Sequence, residues 1–366
     1  MKKLTALLLA LMMVVLMAVP TFAAPKKGML VLGDSIATGY GLPGYSAASP
    51  QLAADSFANK LAAKYKLAYG HTFYNFAVDG MTSAELASAV SEGKSQYLYK
   101  ENALGVDEGT FSRYMMVDAS STQVAIKNCD TIVISIGGND LLRPMFEIIM
   151  DYIEDNAALL KMMGIDLESM SGAGASGLSG IMGGANSTAM LTALTAIFTS
   201  EEAQAKFTDA VKAYSANLTT ILTSIYALNP GADVYLLCLY NPFDGVEMFA
   251  SMAELTETFI TAMAQSTAAV SASFAAKGFS AVPVQVKDSF DGKAMSLTNI
   301  LAIDIHPNVQ GHEVMYNALS AAIDAPKTSS AGAAVFAPST LDVTMVLAAV
   351  SAAVSVIAVK SVKRRG

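Results

Sequence analysis

The sequence predicts an α/β fold, with about five parallel strands at the centre of a flavodoxin-like three-layer α/β/α sandwich. Three observations predict it. Five short apolar runs recur along the chain, each about the length of a strand. Longer stretches of helical periodicity separate them, and that alternation is the mark of a parallel sheet. The residues best suited to chemistry cluster in loops that follow the runs, at the carboxyl ends of the strands, where such sheets bind ligands.

In chain order, strands are expected near residues 29–32 (MLVL), 72–76 (TFYNF), 131–136 (TIVISI), 233–239 (DVYLLCL) and 280–286 (SAVPVQV). Helices are expected over 50–66, 82–92, about 120–128, 143–164, 188–228 with breaks, 247–277 and 309–323. Two stretches exceed ordinary connections. Residues 93–119 are polar with scattered aromatics. Residues 141–200 hold Met-rich helical sequence and then a Gly/Ser/Ala segment. The second reads either as a cap over the site, with Met side chains adapting to an acyl chain, or as core helices joined by a linker. Methionine stripes usually pack, which favours the latter.

Both ends look like targeting sequence. Lys2 and Lys3, an apolar run and small residues around Ala23 read as a secretory signal peptide over 1–23. The main domain is expected over 24–326, with 141–200 a candidate cap insertion within it, followed by a linker over 327–340. Residues 341–359 carry a single charge, Asp342, and are long enough as a helix to cross a hydrocarbon core of roughly 30 Å. The basic tail 360–366 would stay in the cytoplasm.

Six of the 23 basic residues lie outside 24–340, and of the 31 acidic ones only Asp342 does, which leaves that span 17 basic against 30 acidic residues, a net −13. Such a surface argues against nucleic acid as a partner. The two cysteines, Cys129 and Cys238, have no metal-ligand spacing with histidine. Read on parallel neighbouring strands, they fall near opposite ends of the sheet and should be free thiols.

Four constellations carry the chemistry. Gly33-Asp34-Ser35 follows the first strand, where a serine at a strand-to-helix turn is exposed beside free helix N–H groups; a plain helix cap is the alternative. Asn75-Phe-Ala-Val-Asp-Gly80 follows the second strand and reads alone as a turn. Gly137-Gly138-Asn139-Asp140 follows the third; the Asn139 amide can face a developing negative charge, while Asp140 is assigned a structural role. Asp304-Ile-His306-Pro-Asn308 precedes the last helix and sets a histidine beside a carboxylate. Of the other histidines, His71 reads as structural and His312 as a cap or surface residue. The loop after Leu32 lacks the Gly-Lys-Ser/Thr ending of a phosphate cradle, and there is no GxGxxG spacing.

In their order, Ser, Gly, Asn and Asp/His, these blocks resemble the SGNH (GDSL-type) hydrolases over roughly residues 28–326. The stretches LGDSIATGYGLPG, ISIGGNDLL and DIHPNVQGH look like those of secreted bacterial members. The resemblance implies the SGNH hydrolase fold and an esterase or lipase acting by a Ser-His(-Asp) mechanism. Ser35 would be the nucleophile, His306 the general base and Asp304 its partner. The Ser35 N–H, the Gly80 N–H and the Asn139 side chain would form the oxyanion hole. No metal or organic cofactor is implied. The family's substrates span lipid and glycan esters, so a carbohydrate O-acetyl esterase and a lysophospholipase are alternatives within it; a catalytically silent surface-binding module is an alternative outside catalysis. One departure stands out: the family's Asp lies three residues before the His, where this chain has Ile303. The C-terminus, with Pro338-Ser339-Thr340, is similar to a Gram-positive cell-wall sorting signal but has Ala337 and Leu341 at two of its key positions. The expected location is the extracellular face of the membrane, or the cell wall, of a Gram-positive bacterium, with the C-terminal helix as membrane anchor.

Overall fold

The computed structural model describes residues 28–46, 49–92, 96–97, 116–117, 119–155, 200–302 and 304–326. Among these, the elements run β1 (Met29–Gly33), α1 (Ser35–Thr38), α2 (Phe57–Lys64), β2 (Phe73–Asn75), α3 (Ser83–Glu92), β3 (Gln96–Tyr97), β4 (Met116–Val117), α4 (Ala119–Asn128), β5 (Thr131–Ser135), α5 (Gly138–Asp155), α6 (Glu201–Leu228), β6 (Asp233–Leu237), α7 (Ala250–Ala275), β7 (Ser280–Val284), α8 (Lys287–Phe290), α9 (Ala294–Leu297) and α10 (Val309–Asp324). Strands β2-β1-β5-β6-β7 form the central sheet in that order, and every neighbouring pair is parallel. Strands β3 and β4 form a separate antiparallel pair.

Alternation along each strand builds the three layers. Leu30, Leu32, Ile132, Ile134, Val234 and Leu236 pack on one face against α3, α4, α6 and α7. Met29, Val31, Val133, Tyr235 and Leu237 pack on the other against α2 and α10, where Phe57, Leu61 and Leu319 are fully buried. Strands β1, β5 and β6 are buried at every position, and burial on both faces is why they read as apolar runs. Pro283 lies in β7, an edge strand, where its missing N–H leaves no ladder bond unmade on the outer side.

The elements fall where expected, with differences that have local causes. Strands β2, β5, β6 and β7 end one or two residues before the expected runs do, because the chain leaves the sheet into the site loops, while β1 runs one residue further, to Gly33. The helix expected over 50–66 is a 3₁₀ turn at Pro50–Leu52 and then α2. Ser56 starts the second piece by accepting from the Asn59 N–H at 3.2 Å. Helix α5 begins at Gly138, five residues before the expected start, and carries Pro144 within it. Cys129 precedes β5 and Cys238 follows β6; both are buried and free.

Among the described residues no helix is long and apolar enough to cross a membrane. The expected signal peptide, linker, membrane helix, tail and most of the candidate cap lie outside the described residues, as does Ile303.

Candidate active site

Strand β1 delivers Ser35 to the top of the sheet. Gly33 makes this possible: its φ is +141°, and a Cβ there would sit 1.9 Å from the Ser135 carbonyl oxygen of β5. The turn is held by the Asp34 N–H donating to that same oxygen at 3.0 Å. Asp34 then caps α1, its carboxylate accepting from the Ile36 N–H at 3.1 Å. Burial pushes the Asp34 carboxyl up to about 7, against the lowering effects of the Ile36 N–H and of His306.

The other end of the chain meets this turn. His306 Nε2 lies 2.8 Å from Ser35 Oγ. On its far side, Nδ1 is hydrogen-bonded to the Asp304 carboxylate, which also accepts the His306 backbone N–H at 3.0 Å. The loop is tied down from behind. Asn299 donates its backbone N–H to the His306 carbonyl at 2.9 Å, accepts from the Asp304 N–H at 3.3 Å, and hydrogen-bonds the Asp304 carboxylate with its side chain. Tyr240 donates its hydroxyl to the Ile305 carbonyl at 2.6 Å. Partial burial acts to raise the Asp304 pKa, but its hydrogen bonds to His306 and Asn299 and the His306 charge carry it below the usual carboxylate value. The Tyr40 ring packs 4.5 Å from the imidazole.

Hydrogen bonds also draw in the two middle blocks. The Val78 N–H donates to the Gly33 carbonyl at 2.9 Å, and the Asn75 amide to the Ala37 carbonyl at 2.8 Å. The loop after β2 thereby runs alongside the serine turn and reaches Gly80, whose φ of +72° suits glycine. Asn139, in the first turn of α5, donates one amide N–H to the Met81 carbonyl at 3.0 Å, next to Gly80. A primary amide has a second N–H to offer elsewhere. Asp140 caps α3 through the Ser83 N–H and hydroxyl, a structural link between these two blocks.

Ser35, Asp304 and His306 thus share one hydrogen-bonded line, and Asn139 is joined to Met81, the residue after Gly80, in the loop that runs beside the serine turn. An imidazole so held can take the serine proton and keep its other nitrogen on a carboxylate. His71 is exposed, at the turn before β2. His312 differs from expectation: it is fully buried, stacked on Phe57 with ring centroids 5.9 Å apart, and its Nδ1 accepts from the Phe57 N–H at 3.3 Å. Its Nε2 has no partner among the described residues. The sequence reading missed Asn299, Tyr40 and Tyr240, whose roles depend on contacts between distant segments. Among the described residues, no group of three or more His, Cys, Asp or Glu is placed to hold a metal ion.

An apolar cleft opens at the same end of the sheet. Ile36, Gly138 and Ile305 line it, the immediate chain neighbours of Ser35, Asn139 and His306.

Residues 29–164 match the family described as GDSL-like Lipase/Acylhydrolase. That match takes in Ser35, Gly80 and Asn139, and over this part of its length the chain is similar to that family of lipases and acylhydrolases. No curated protein sequence matches it. Among solved structures, it is similar to a lipase from a goat rumen metagenome (17% identity, 81% of this chain and 96% of that one, TM-score 0.47). An extracellular lipase from Streptomyces rimosus is similar at 16% identity, over 81% of this chain and 99% of the other, with a TM-score of 0.46. A family 2 carbohydrate esterase from Corynascus thermopiles, with a carbohydrate-binding domain, is similar at 17% identity over 83% and 68%, with a TM-score of 0.40.

Proposed function

We propose that this chain hydrolyses carboxylic esters with Ser35 as nucleophile, His306 as general base and acid, and Asp304 as the group that orients His306. The observation that carries the reading is the 2.8 Å contact between His306 Nε2 and Ser35 Oγ, with Nδ1 held on a carboxylate. Ser35 Oγ attacks the ester carbonyl carbon as Nε2 takes its proton. The resulting oxyanion is met by the Ser35 and Gly80 N–H groups and the Asn139 amide. Collapse expels the alcohol, protonated by His306, and leaves an acyl-serine. Water, deprotonated by His306, then releases the acid and restores Ser35.

The same proposal includes export through residues 1–23 and retention on the outer membrane face by the helix 341–359. Their charge and hydropathy patterns support this. Truncation after Ser339 should release active enzyme to the medium. The test of the chemistry is labelling by a fluorophosphonate probe together with turnover of p-nitrophenyl butyrate. Ser35→Ala should abolish both; labelling that persists in the variant would reject Ser35 as the nucleophile.

A further inference from the structure

Residues 78–81 form a tight turn, closed by the Met81 N–H donating to the Val78 carbonyl at 3.1 Å. Asp79 is its second residue and Gly80, with a φ of +72°, its third. Lys66 is the only non-glycine residue with a positive φ among the described residues, so Asp79 has an ordinary one. That combination defines a type II turn. Its central peptide, between Asp79 and Gly80, carries the Gly80 N–H. A type I turn over the same four residues has that peptide turned over, with the N–H on the opposite side. Glycine at the third position tolerates both. Whatever holds this peptide therefore decides where the Gly80 N–H points.

The Asp79 side chain is in place to do so. Its carboxylate accepts from the Thr38 hydroxyl at 2.6 Å and from the Tyr45 hydroxyl. The buried Thr38 hydroxyl also lies 2.9 Å from the Ser35 carbonyl, but it has one proton to give, and the charged acceptor is the stronger. Burial and then the Asp79 carboxylate push the Tyr45 hydroxyl above its usual value of 10, so it stays a donor. Thr38 is the last residue of α1, which begins at Ser35. The Tyr45 ring meets that of Tyr40 with centroids 5.0 Å apart, and Tyr40 packs on His306. The two hydroxyls thus tie the turn to both the serine helix and the histidine. We propose that Asp79 is a positioning residue, which Thr38 and Tyr45 clamp so that the 78–81 turn keeps the Gly80 N–H aimed at the oxyanion. The proposal rests on Ser35, His306 and Gly80 acting as described above. Asp79 acts through the Gly80 peptide and not on the substrate itself.

The experiment measures kcat and KM of the purified full chain on p-nitrophenyl butyrate. It also measures inhibition by a butyl trifluoromethyl ketone, whose adduct with a serine carries an oxyanion. Removing a whole oxyanion donor costs about a hundred- to a thousandfold in kcat, and a donor merely set loose should cost less. Asp79→Ala should lower kcat by at least about twentyfold, with KM within about twofold of wild type. Tyr45→Phe keeps the ring contact with Tyr40 and loses one hydrogen bond, so its kcat should fall about fivefold. The ketone should bind more weakly in each variant by the same factor as kcat/KM falls. The double variant should be no worse than Asp79→Ala alone, because both changes act through one carboxylate. Wild-type kcat and ketone affinity in the folded variants would overturn the proposal. So would a rise in KM at unchanged kcat, or losses that multiply in the double variant. If Asp79→Ala does not fold, Tyr45→Phe decides by the same two measurements. Failure of the underlying reading looks different: the wild type itself would show no fluorophosphonate labelling and no turnover of the ester.

Discussion

Replacing Asp304 by Asn keeps the size and the acceptor oxygen of the side chain but removes its charge. The imidazole would still find a partner for Nδ1–H, so its orientation should survive. What is lost is the attraction between the carboxylate and the imidazolium, which exists only once the serine proton has moved. At a charge separation of about 4 Å and an effective dielectric of about 20, that attraction is about 4 kcal/mol. The Asp304 side chain is 28% exposed and that of His306 20%, so solvent screens part of it. A remainder of about 3 kcal/mol corresponds to about a hundredfold in rate. The expected loss is smaller than the roughly ten-thousandfold seen where a buried triad Asp of another hydrolase was replaced by Asn.

The assay is kcat and KM on p-nitrophenyl butyrate, with folding followed by thermal melting. Because the imidazolium is absent from the ground state, the loss should fall on kcat and leave KM nearly unchanged. A kcat loss below about tenfold, with the fold intact, would remove Asp304 from the mechanism and leave a Ser35–His306 pair.

Asn299→Ala removes one side-chain hydrogen bond to the Asp304 carboxylate and leaves both backbone bonds of the loop; kcat should fall about five- to tenfold with little change in KM or melting temperature. An unaltered kcat would show that the backbone bonds alone position Asp304. Gly33→Ala should cost more than about 4 kcal/mol of stability, since its Cβ meets the Ser135 oxygen at a φ of +141°; a melting temperature near wild type would refute the packing at the serine turn. His312 should make the fold sensitive to acid. Burial lowers its pKa from 6.5 to about 3, so below about 6.5 the unfolded chain takes up a proton that the folded one refuses, and stability falls with pH. Asp34, raised from 3.8 to about 7, has the opposite slope over most of that window, which masks the effect in the wild type. His312→Phe keeps a ring against Phe57 and should gain on the order of 2 kcal/mol relative to wild type between about pH 6 and about pH 4. Denaturant melts showing a constant difference across that range would reject the buried neutral histidine.

How much of this was legible beforehand depended on the range of the forces involved. The strands were legible because parallel strands buried on both faces need apolar residues at every position. The serine turn was legible because Gly33, Asp34 and Ser35 act through their own backbone and its nearest neighbours. His312 was misread because its environment is set by residues far away in the chain. Gly311 lies so close to the Leu297 carbonyl that a Cβ would come within 2.1 Å of it, and the next residue meets Phe57. No local pattern encodes that contact. The apolar cleft was equally hidden: Phe207, Leu255 and Phe259 come to line one cleft only when α6 and α7 are set side by side.

The spacing of Asp304 and His306 lies between these cases. Along extended chain two residues share a face but stand about 6.6 Å apart, too far for a short carboxylate to meet the next-but-one imidazole directly. The loop overcomes this by bending. Asp304 Oδ1 accepts the His306 backbone N–H at 3.0 Å, the side-chain-to-backbone closure of an Asx turn. The same oxygen then meets Nδ1 of the ring. Asn299 holds both ends of the bend through its N–H, its carbonyl and its side chain. The shortened spacing and the anchoring asparagine are thus two parts of one device. A carboxylate two residues back can face the ring because a residue five positions earlier fixes the turn.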